Sequence, residues 1–398
     1  MPRSMGADVI VVGAGIVGAA CAHALARAGL SVTVLERHAA AAGTSGQGEG
    51  NLLVSDKEPG AELDLARYSL DLWDALDERL RERLPAGFPS FEYERKGGLV
   101  VATTPDGADP LLQFAAGQRT AGIDAEPIDR AQALDLEPHL NPDVTAAVYY
   151  PEDAQVQPVI ATEALLAAAR SYGTRVLFGE RVTGALSDRA NKITGVRSTS
   201  GEHRAPIVVV ACGPWSAEVA AALGSSLPVR PRRGVILVTT RMPHRIFHKV
   251  YDADYVGAVG SNDQDLQTSS VIESTAAGTV LVGSSRRQSG FDDALDLPAA
   301  REIASKAMRI FPFLADAAVM RVYGGFRPFM PDHVPVIGPD REIDGLWHAT
   351  GHEGAGIGLS LGTGDLITSL ITGSAPPVDP RPYDPVRLPR PDAIEVPA

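Results

Sequence analysis

The feature that most constrains this chain is a glycine-rich segment close to its N-terminus. Residues 8–12 form a short apolar run, typical of a buried strand, and lead into Gly13, Gly15 and Gly18 with the spacing G-x-G-x-x-G. Residues 16–28 are rich in alanine and apolar enough for a buried helix. The pattern therefore predicts a strand, a tight turn and a helix in direct succession.

A second strand, residues 31–35, follows the predicted helix and ends at Glu36. In such a unit, Gly13 permits the turn, Gly15 lets the backbone approach a pyrophosphate and Gly18 lets the helix pack against the sheet. The helix N-terminus offers free N–H groups to phosphates, and an acid at Glu36 can accept hydrogen bonds from a ribose. These features together predict a dinucleotide site, for either FAD or NAD.

Composition limits the class of protein. The chain has 398 residues, which is enough for about two domains, and 44% of them are hydrophobic. Its net charge of −13 argues against a nucleic acid or an anionic membrane as a partner, because both require a basic surface. We find no signal peptide and no transmembrane run in the sequence, so we expect a cytoplasmic protein.

The two cysteines, Cys21 and Cys212, both lie in apolar, alanine-rich surroundings. Buried small hydrophobic residues are the simpler interpretation of this pattern, and we predict no metal site. Two cysteines cannot by themselves hold a four-thiolate iron–sulfur cluster.

The rest of the chain alternates between helical and strand patterns. We predict one amphipathic helix over residues 59–84, a hairpin or paired strands over 91–103 with a turn at Lys96-Gly97-Gly98, and a strand pair at 175–178 and 182–186. The glycine-rich residues 43–51 are either a surface loop or a wall of bare backbone against a flat ligand. Residues 207–211 predict a buried strand that runs into Cys212, Gly213 and Trp215.

This alternation predicts an α/β fold in which a Rossmann-like dinucleotide-binding domain is interleaved with an antiparallel-sheet substrate domain. We assign residues 1–85, 155–228 and 330–398 to the first domain, and 86–154 and 229–329 to the second. Small substrates usually bind in the cleft between two such domains.

The chain resembles the D-amino-acid oxidase-like superfamily of FAD-dependent oxidoreductases, which includes glycine and sarcosine oxidases. The resemblance runs from about residue 8 to residue 385. It rests on five motifs in the family's order: Val11-Val12-Gly13-Ala14-Gly15-Ile16-Val17-Gly18 with Glu36; Gly43-Thr44-Ser45 and the glycines that follow; Val209-Val210-Ala211-Cys212-Gly213-Pro214-Trp215-Ser216; Gly325-Phe326-Arg327-Pro328 with Pro335-Val336-Ile337-Gly338; and Gly351-His352-Glu353-Gly354-Ala355-Gly356-Ile357.

The resemblance implies an FAD site. The first glycine loop would face the pyrophosphate, Glu36 the adenosine ribose, Val182 the adenine and the glycines at 354–358 the flavin, where a helix N-terminus stabilises the negative charge of the reduced ring. The residues expected to hold FAD are Gly13, Gly15, Ile16, Val17, Gly18, Glu36, Arg37, Thr44, Ser45, Gly50, Asn51, Leu52, Val182, Cys212, Gly213, Trp215, Arg327, Gly354, Ala355, Gly356 and Ile357.

The resemblance also implies catalytic candidates. Arg327 matches the family arginine that pairs with a substrate carboxylate, although a salt bridge to Asp332 or another acid is the alternative. His352, beside the flavin, could accept the proton of a substrate amine or interact with reduced flavin or oxygen, or it could be a structural histidine. Tyr251 and Tyr255 could close the pocket over the amine, or they could lie on the surface.

Three departures from the family pattern carry information. Members with covalent flavin attach it through Cys or His. No Cys lies near 326–330 and no His lies within 43–51, although His38 precedes that loop, so we predict non-covalent FAD. Glu273 stands where many members have Pro-Arg, and its acid either suits a cationic substrate group or is simply exposed. The segment Gly48-Glu49-Gly50-Asn51-Leu52 favours the catabolic dehydrogenase branch of opine, proline or hydroxyproline type.

The resulting hypothesis is an FAD-dependent enzyme that oxidises an amine or amino acid (D-, N-substituted or imino acid) by hydride transfer to flavin N5, giving an imine. Molecular oxygen or an electron-transfer partner would accept the electrons. A first alternative is the FAD subunit of a multi-subunit dehydrogenase that passes electrons to iron–sulfur partners. An NAD-dependent dehydrogenase and a non-enzymatic flavin scaffold are further alternatives, although the scaffold leaves Arg327 without a role.

Overall fold

The computed structural model describes residues 6–253 and 260–389. Tyr255 therefore lies outside the described residues. The strands are β1 (Val9–Val12), β2 (Val32–Glu36), β3 (Asn51–Leu52), β4 (Gly98–Ala102), β5 (Glu126–Ile128), β6 (Ala146–Tyr150), β7 (Ala154–Gln155), β8 (Arg175–Phe178), β9 (Val182–Ser187), β10 (Ile193–Ser198), β11 (Glu202–Arg204), β12 (Ile207–Val210), β13 (Arg230–Thr239), β14 (Lys249–Asp252), β15 (Gln267–Ser274), β16 (Val280–Arg286), β17 (Val319–Phe329), β18 (Val336–Pro339) and β19 (Leu346–Thr350).

The α-helices are α1 (Ile16–Arg27), α2 (Ala61–Asp74), α3 (Leu76–Leu80), α4 (Pro105–Thr120), α5 (Arg130–Leu136), α6 (Pro158–Ser171), α7 (Ser216–Ala222), α8 (Leu297–Ile310) and α9 (Gly356–Thr372). Local sequence explains several of their ends. Helix α1 is followed by Gly29, whose φ of +90° suits a helix stop, and Asp129 forms a capping box with Gln132 at the start of α5.

A six-stranded sheet with the order β18-β19-β12-β1-β2-β8 carries the glycine-rich segment. Strands β19, β12, β1, β2 and β8 are parallel, and β18 pairs antiparallel with β19 at one edge. Helix α1 crosses from β1 to β2 in the way that a βαβ unit requires. The predicted Rossmann-like sheet is confirmed.

Alternating side chains of β1 enter two different cores. Val9 and Val11 pack with the alanines of α1, whereas Ile10 and Val12 pack with Val182 and other residues of the small sheet β9-β10-β11. This two-sided burial explains why β1 reads as a continuous apolar run, since a strand covered on both faces has no polar side.

Helix α9 runs through the main core, which is the hydrophobic core that Val9 and Val11 enter. Its glycines allow close packing: a Cβ on Gly362 would lie 2.8 Å from Leu65 Cδ1 of α2, and one on Gly364 would lie 2.7 Å from Ala20 O of α1. Together with the preceding short turn, this helix is long and apolar enough to cross a membrane by composition, but 61% of that window is buried inside the fold. Its position indicates a core helix.

An eight-stranded sheet, β17-β13-β16-β15-β14-β4-β6-β5, forms the second layer. Every neighbouring pair is antiparallel except β14 with β4, so the sheet is mixed and mostly antiparallel. Helix α8 covers one face with Ile303, Ala307 and Ile310, and the other face joins the main core. All eight strands come from residues 98–150 and 230–329, whereas the parallel sheet uses the rest of the chain.

Three local predictions were wrong. The predicted helix over 59–84 is broken at Ala75 into α2 and α3. The predicted hairpin over 91–103 does not form, because β4 pairs with β6 and β14 instead. The strands at 175–178 and 182–186 do not pair with each other: β8 joins β2, and β9 joins β10. The last two errors concern strand partners, which local sequence does not specify.

Candidate active site

A cavity of about 1090 Å³ lies between the two sheets. One side is formed by the carboxyl ends of β1, β2 and β12, which is where α/β sheets generally bind ligands. The other side is formed by β13 and β17 of the eight-stranded sheet, and residues 349–357 connect the two. The cavity is large enough for a dinucleotide and a small substrate together.

The glycines after β1 have different roles. Gly13 has a φ of +106°, which other residues rarely adopt, and a Cβ on Gly18 would lie 2.0 Å from the Gly13 carbonyl oxygen. The fold itself therefore requires both residues. A Cβ on Gly15 would meet a single protein atom within 4 Å, Ser45 Oγ at 3.2 Å, so the space beside Gly15 remains free for a ligand.

Glu36 braces this loop. Its Oε2 accepts a hydrogen bond of 2.8 Å from the Ala14 amide, and its Oε1 accepts one of 2.8 Å from the His38 amide. The side chain still lines the cavity, and each carboxylate oxygen can accept a second bond. The Ile16 amide at the start of α1 donates to Ser45 Oγ at 3.0 Å, which fixes the 44–47 turn beside the helix N-terminus.

Stacked side chains form another part of the wall. The Arg37 guanidinium lies 4.3 Å from the ring centroid of Trp215, and that ring stacks on Phe291 at 5.4 Å with an interplanar angle of 9°. Trp215 also covers Gly43, where a Cβ would lie 2.8 Å from its ring. Glycine at position 43 is explained by this aromatic contact, and the residues from 43 onwards form a wall of the cavity.

Arg327 projects from β17 into the cavity lining and donates from Nη1 to the Ser285 carbonyl oxygen at 2.8 Å. Gly234 on the neighbouring strand makes room for it, since a Cβ there would lie 2.2 Å from Nη1. Asp332, the acid named as an alternative partner, instead accepts a 2.8 Å bond from Arg387. The geometry leaves Arg327 on the wall that faces the cavity.

His352 lines the same cavity and is only 3% exposed. Its Nε2 lies 2.9 Å from Thr363 Oγ1, and burial lowers the pKa of the imidazole to about 3. The ring is therefore neutral at physiological pH. A neutral imidazole whose proton affinity is this low is a weak base, so the geometry favours His352 as a neutral hydrogen-bonding group.

Tyr251 does not line the cavity. It is 1% exposed, and its ring belongs to the main core below β14. The same strand carries Lys249, which is fully buried and forms an ion pair with Glu273 on β15. Glu273 is therefore not an exposed acid, and it does not line the cavity either.

The structure brings most of the predicted residues to one cavity. The lining includes Gly13, Gly15, Ile16, Val17, Glu36, Arg37, Thr44, Ser45, Asn51, Val182, Cys212, Gly213, Trp215, Arg327, His352, Gly354, Gly356 and Ile357. It does not include Gly18, Gly50, Leu52, Ala355 or Tyr251. Gly50 has a structural role, because a Cβ there would lie 1.8 Å from the Val156 carbonyl oxygen.

Sequence reasoning missed several polar side chains that line the cavity, among them Glu49, Arg233 and Tyr323. Glu49 lies within a segment that the sequence analysis had noted, and its position between two glycines was the available signal. Arg233 and Tyr323 lie on β13 and β17 and carried no local signal.

Comparison with known proteins identifies the family. The model of the DAO family, described as FAD dependent oxidoreductase, matches residues 8–370. The chain belongs to this family. Its cofactor is FAD, and the structure fits that cofactor: the loop at Gly15 is open on the cavity side, and Gly213, with a φ of +53°, has one protein atom within 4 Å of its Cβ position.

Relatives span the whole chain. It is 30% identical to the glycine oxidase of Pseudomonas aeruginosa, covering 96% of this chain and 99% of that protein. It is 29% identical to hydrogen cyanide synthase subunit HcnC of the same organism, covering 98% and 99%. The crystal structure of glycine oxidase from Geobacillus kaustophilus superimposes with a TM-score of 0.85 at 28% identity, covering 96% and 99%.

These findings establish the general activity. The protein is an FAD-dependent amino-acid oxidase or dehydrogenase of the DAO family, and it oxidises amino acids or amines. The α/β fold with a parallel and an antiparallel sheet matches the glycine oxidase structures.

Proposed function

We propose that the protein oxidises an α-amino or imino acid whose carboxylate binds to Arg327. The position of this guanidinium is the observation that supports the proposal. It lines the cavity on the side of the eight-stranded sheet, away from the Gly13–Gly18 loop, and its hydrogen bond to the Ser285 carbonyl oxygen orients it. A planar guanidinium binds a carboxylate through two parallel hydrogen bonds, which fixes the α-carbon in space.

The cofactor would be held without a covalent bond. Gly13, Gly15 and the start of α1 would face its phosphates, Glu36 its ribose and Gly354–Gly356 its flavin, which supplies an acceptor for a hydride from the α-carbon when it is bound. The buried, neutral His352 would help to exclude water and to orient groups near the start of α9.

The test is an anaerobic visible spectrum of the FAD-loaded protein mixed in turn with D-alanine, sarcosine, glycine, D-proline and L-proline. We expect one of these amino acids to bleach the flavin, and the Arg327→Leu variant to need far more of it. If an amine without a carboxylate bleaches the flavin as readily, the assignment of Arg327 is wrong.

We further propose, as a second candidate, that the chain works as the FAD subunit of a larger dehydrogenase in the cytoplasm. The full-length similarity to HcnC, which is named as a subunit, favours this. Re-admitting air to the bleached protein separates the candidates. A slow return of colour with little hydrogen peroxide, and rapid return with an artificial electron-accepting dye, supports the subunit. Rapid peroxide formation supports an oxidase.

A further inference from the structure

Glu49 is a buried acid on the wall of the cavity. Its side chain packs on Gly283 of β16, where a Cβ would lie 2.1 Å from Oε1, and the residue is 8% exposed. Oε2 accepts a bond of 3.3 Å from Asn51 Nδ2. Oε1 is buried and has no hydrogen-bond partner among residues 6–253 and 260–389. A carboxylate oxygen in this state is costly, so a donor from a ligand is the natural partner.

Charged groups face Glu49 from three strands. Lys249 comes from β14, Arg286 from β16 and Arg327 from β17. Lys249 also forms an ion pair with Glu273, so this cation is shared between two acids. Tyr323 also lies in the field of Glu49, and burial raises the pKa of its phenol to about 12, so it stays protonated.

Burial dominates over these cations and raises the pKa of Glu49 above its ordinary value. The carboxylate therefore takes up a proton more readily than an exposed glutamate. This is the property required of a group that accepts a proton from a substrate.

Glu49 and Arg327 lie on neighbouring positions of one wall. Glu49 packs on Gly283, and Arg327 donates to the carbonyl of Ser285, two residues further along β16. An anionic and a cationic group placed side by side in this way complement the ammonium and carboxylate groups of an α-amino acid.

We propose that Glu49 binds the substrate's amine while Arg327 binds its carboxylate, and that Oε1 of Glu49 accepts the amine proton before oxidation. This inference rests on the proposed function. In the step, one N–H bond of the ammonium breaks, its electron pair stays on nitrogen, and the proton bonds to Oε1. The nitrogen lone pair is then available to form the C=N bond when the α-carbon loses its hydride.

The experiment compares Glu49→Gln with the wild type on two ligands. The first is the amino acid that bleaches the flavin; the second is its amine-free counterpart, which is propionate for D-alanine, acetate for glycine or sarcosine and cyclopentanecarboxylate for proline. Loss of a charge-assisted hydrogen bond should weaken binding and reduction by the amino acid on the order of 10- to 100-fold. Binding of the amine-free carboxylate, followed by the flavin spectrum, should change less than about twofold.

The pH profile adds an independent readout. Protonation of Glu49 at low pH removes the acceptor, so the wild-type reduction rate should fall as pH decreases, and Glu49→Gln should lose that acid limb. Glu49→Asp keeps a carboxylate and should retain the limb at a reduced rate. It also serves as a second variant if Glu49→Gln does not fold.

Glu273→Gln is the matched control, because it neutralises the other acid beside Lys249 without altering the cavity lining. This variant should keep the wild-type preference for amine-bearing ligands. If Glu49→Gln weakens binding of the amino acid and of its amine-free counterpart equally, or weakens binding of neither, the inference is wrong. If no amino acid of the panel bleaches the wild-type flavin, the proposed function fails instead, which is a separate result.

Discussion

The two ends of the cavity recognise ligands by different means. At the β1–α1 end, bare backbone dominates, and even the acid Glu36 uses its oxygens to hold the Ala14 and His38 amides. At the β17 end, charged side chains dominate: Arg327 and Glu49 line the wall, with Lys249 and Glu273 buried behind them.

The two ends differ because one forms from local sequence and the other from residues that are distant in the chain. The backbone end is built within thirty residues, and its demands are steric, as the contact between Gly13 and Gly18 shows. The charged end is assembled from residues far apart in the chain, and its buried charges are tolerable only as a group. We expect substitutions of cavity-lining residues at the two ends to separate cofactor binding from substrate recognition.

The largest expected effect is at the charged end. Replacing Lys249 with methionine leaves Glu49 and Glu273 buried without their shared cation, which should lower the free energy of unfolding by about 3–5 kcal/mol. Denaturant unfolding of the apoprotein measures this. The double variant Lys249→Met/Glu273→Gln should recover part of the loss. A control, Lys192→Met, removes an exposed ion pair with Asp344 and should have no measurable effect. Equal stability of Lys249→Met and wild type would contradict the account.

At the backbone end, Gly18→Ala should destabilise the apoprotein by about 3 kcal/mol, because the new Cβ would lie 2.0 Å from the Gly13 carbonyl oxygen. Gly15→Ala is the matched variant: its methyl group would meet only the Ser45 hydroxyl, at 3.2 Å, which can shift slightly, so folding should persist while FAD affinity falls. Thermal unfolding and flavin content measure the two effects. If Gly15→Ala also unfolds the apoprotein, the division between structural and ligand-facing glycines is wrong.

Arg327→Leu should raise KM for the amino-acid substrate on the order of 100-fold, because a charge-assisted hydrogen bond to the carboxylate is lost. This corresponds to about 2–3 kcal/mol of binding free energy. Flavin content should change little, since the loop expected to face the cofactor phosphates lies at the other end. Steady-state kinetics tests this, with Arg327→Lys as the variant that keeps the charge but not the fork geometry. An unchanged KM would remove Arg327 from the substrate site.

His352 connects the two ends and should make stability depend on pH. Burial lowers its pKa from 6.5 to about 3, so between these values the unfolded chain binds a proton that the folded protein does not. Stability from this residue is therefore present above pH 6.5 and decreases as pH falls, by about 1.4 kcal/mol per pH unit. As the pH falls from 6.5 towards 3, the free energy of unfolding of the His352→Asn apoprotein should therefore rise relative to that of wild type by this amount per pH unit. The control His244→Asn replaces an exposed histidine, and its free energy of unfolding should depend on pH as that of wild type does. If His352→Asn also shows the wild-type pH dependence, the argument is wrong.

The smallest expected effect is at Arg37. Replacing it with alanine removes the cation–π contact to Trp215 at 4.3 Å and should cost about 0.5–1 kcal/mol of stability. Arg37→Lys should retain part of that contact. Denaturant unfolding followed by tryptophan fluorescence measures the loss, and a change above about 3 kcal/mol would show that Arg37 holds more than one ring.

Local sequence predicted the backbone end well, because turn glycines and a buried strand are short-range features. The β1–α1–β2 unit, the strand at β12 and the helix α9 all follow from runs of fewer than thirty residues. Glycine at position 97 looked like a hairpin turn, yet it has a φ of +77° without forming one, because β4 pairs with strands that begin at residues 146 and 249.

The charged end could not be predicted in the same way. Nothing near Glu49 in the sequence shows that Lys249 and Arg327 will face it, and the burial of Glu273 depends on the pairing of β14 with β15. Tyr251 was expected at the pocket because of its residue type and lies in the core because of the alternation along β14. Side chains that act through distant partners require the tertiary structure.

The most direct test of the account is a crystal structure of the FAD-loaded protein with the amine-free counterpart of its substrate bound. We predict the cofactor phosphates at the Gly15 loop and the ligand carboxylate on Arg327, with Glu49 beside the position left empty by the amine. A ligand carboxylate bound elsewhere in the cavity, with Arg327 and Glu49 out of its reach, would contradict the division of the cavity into a backbone end and a charged end.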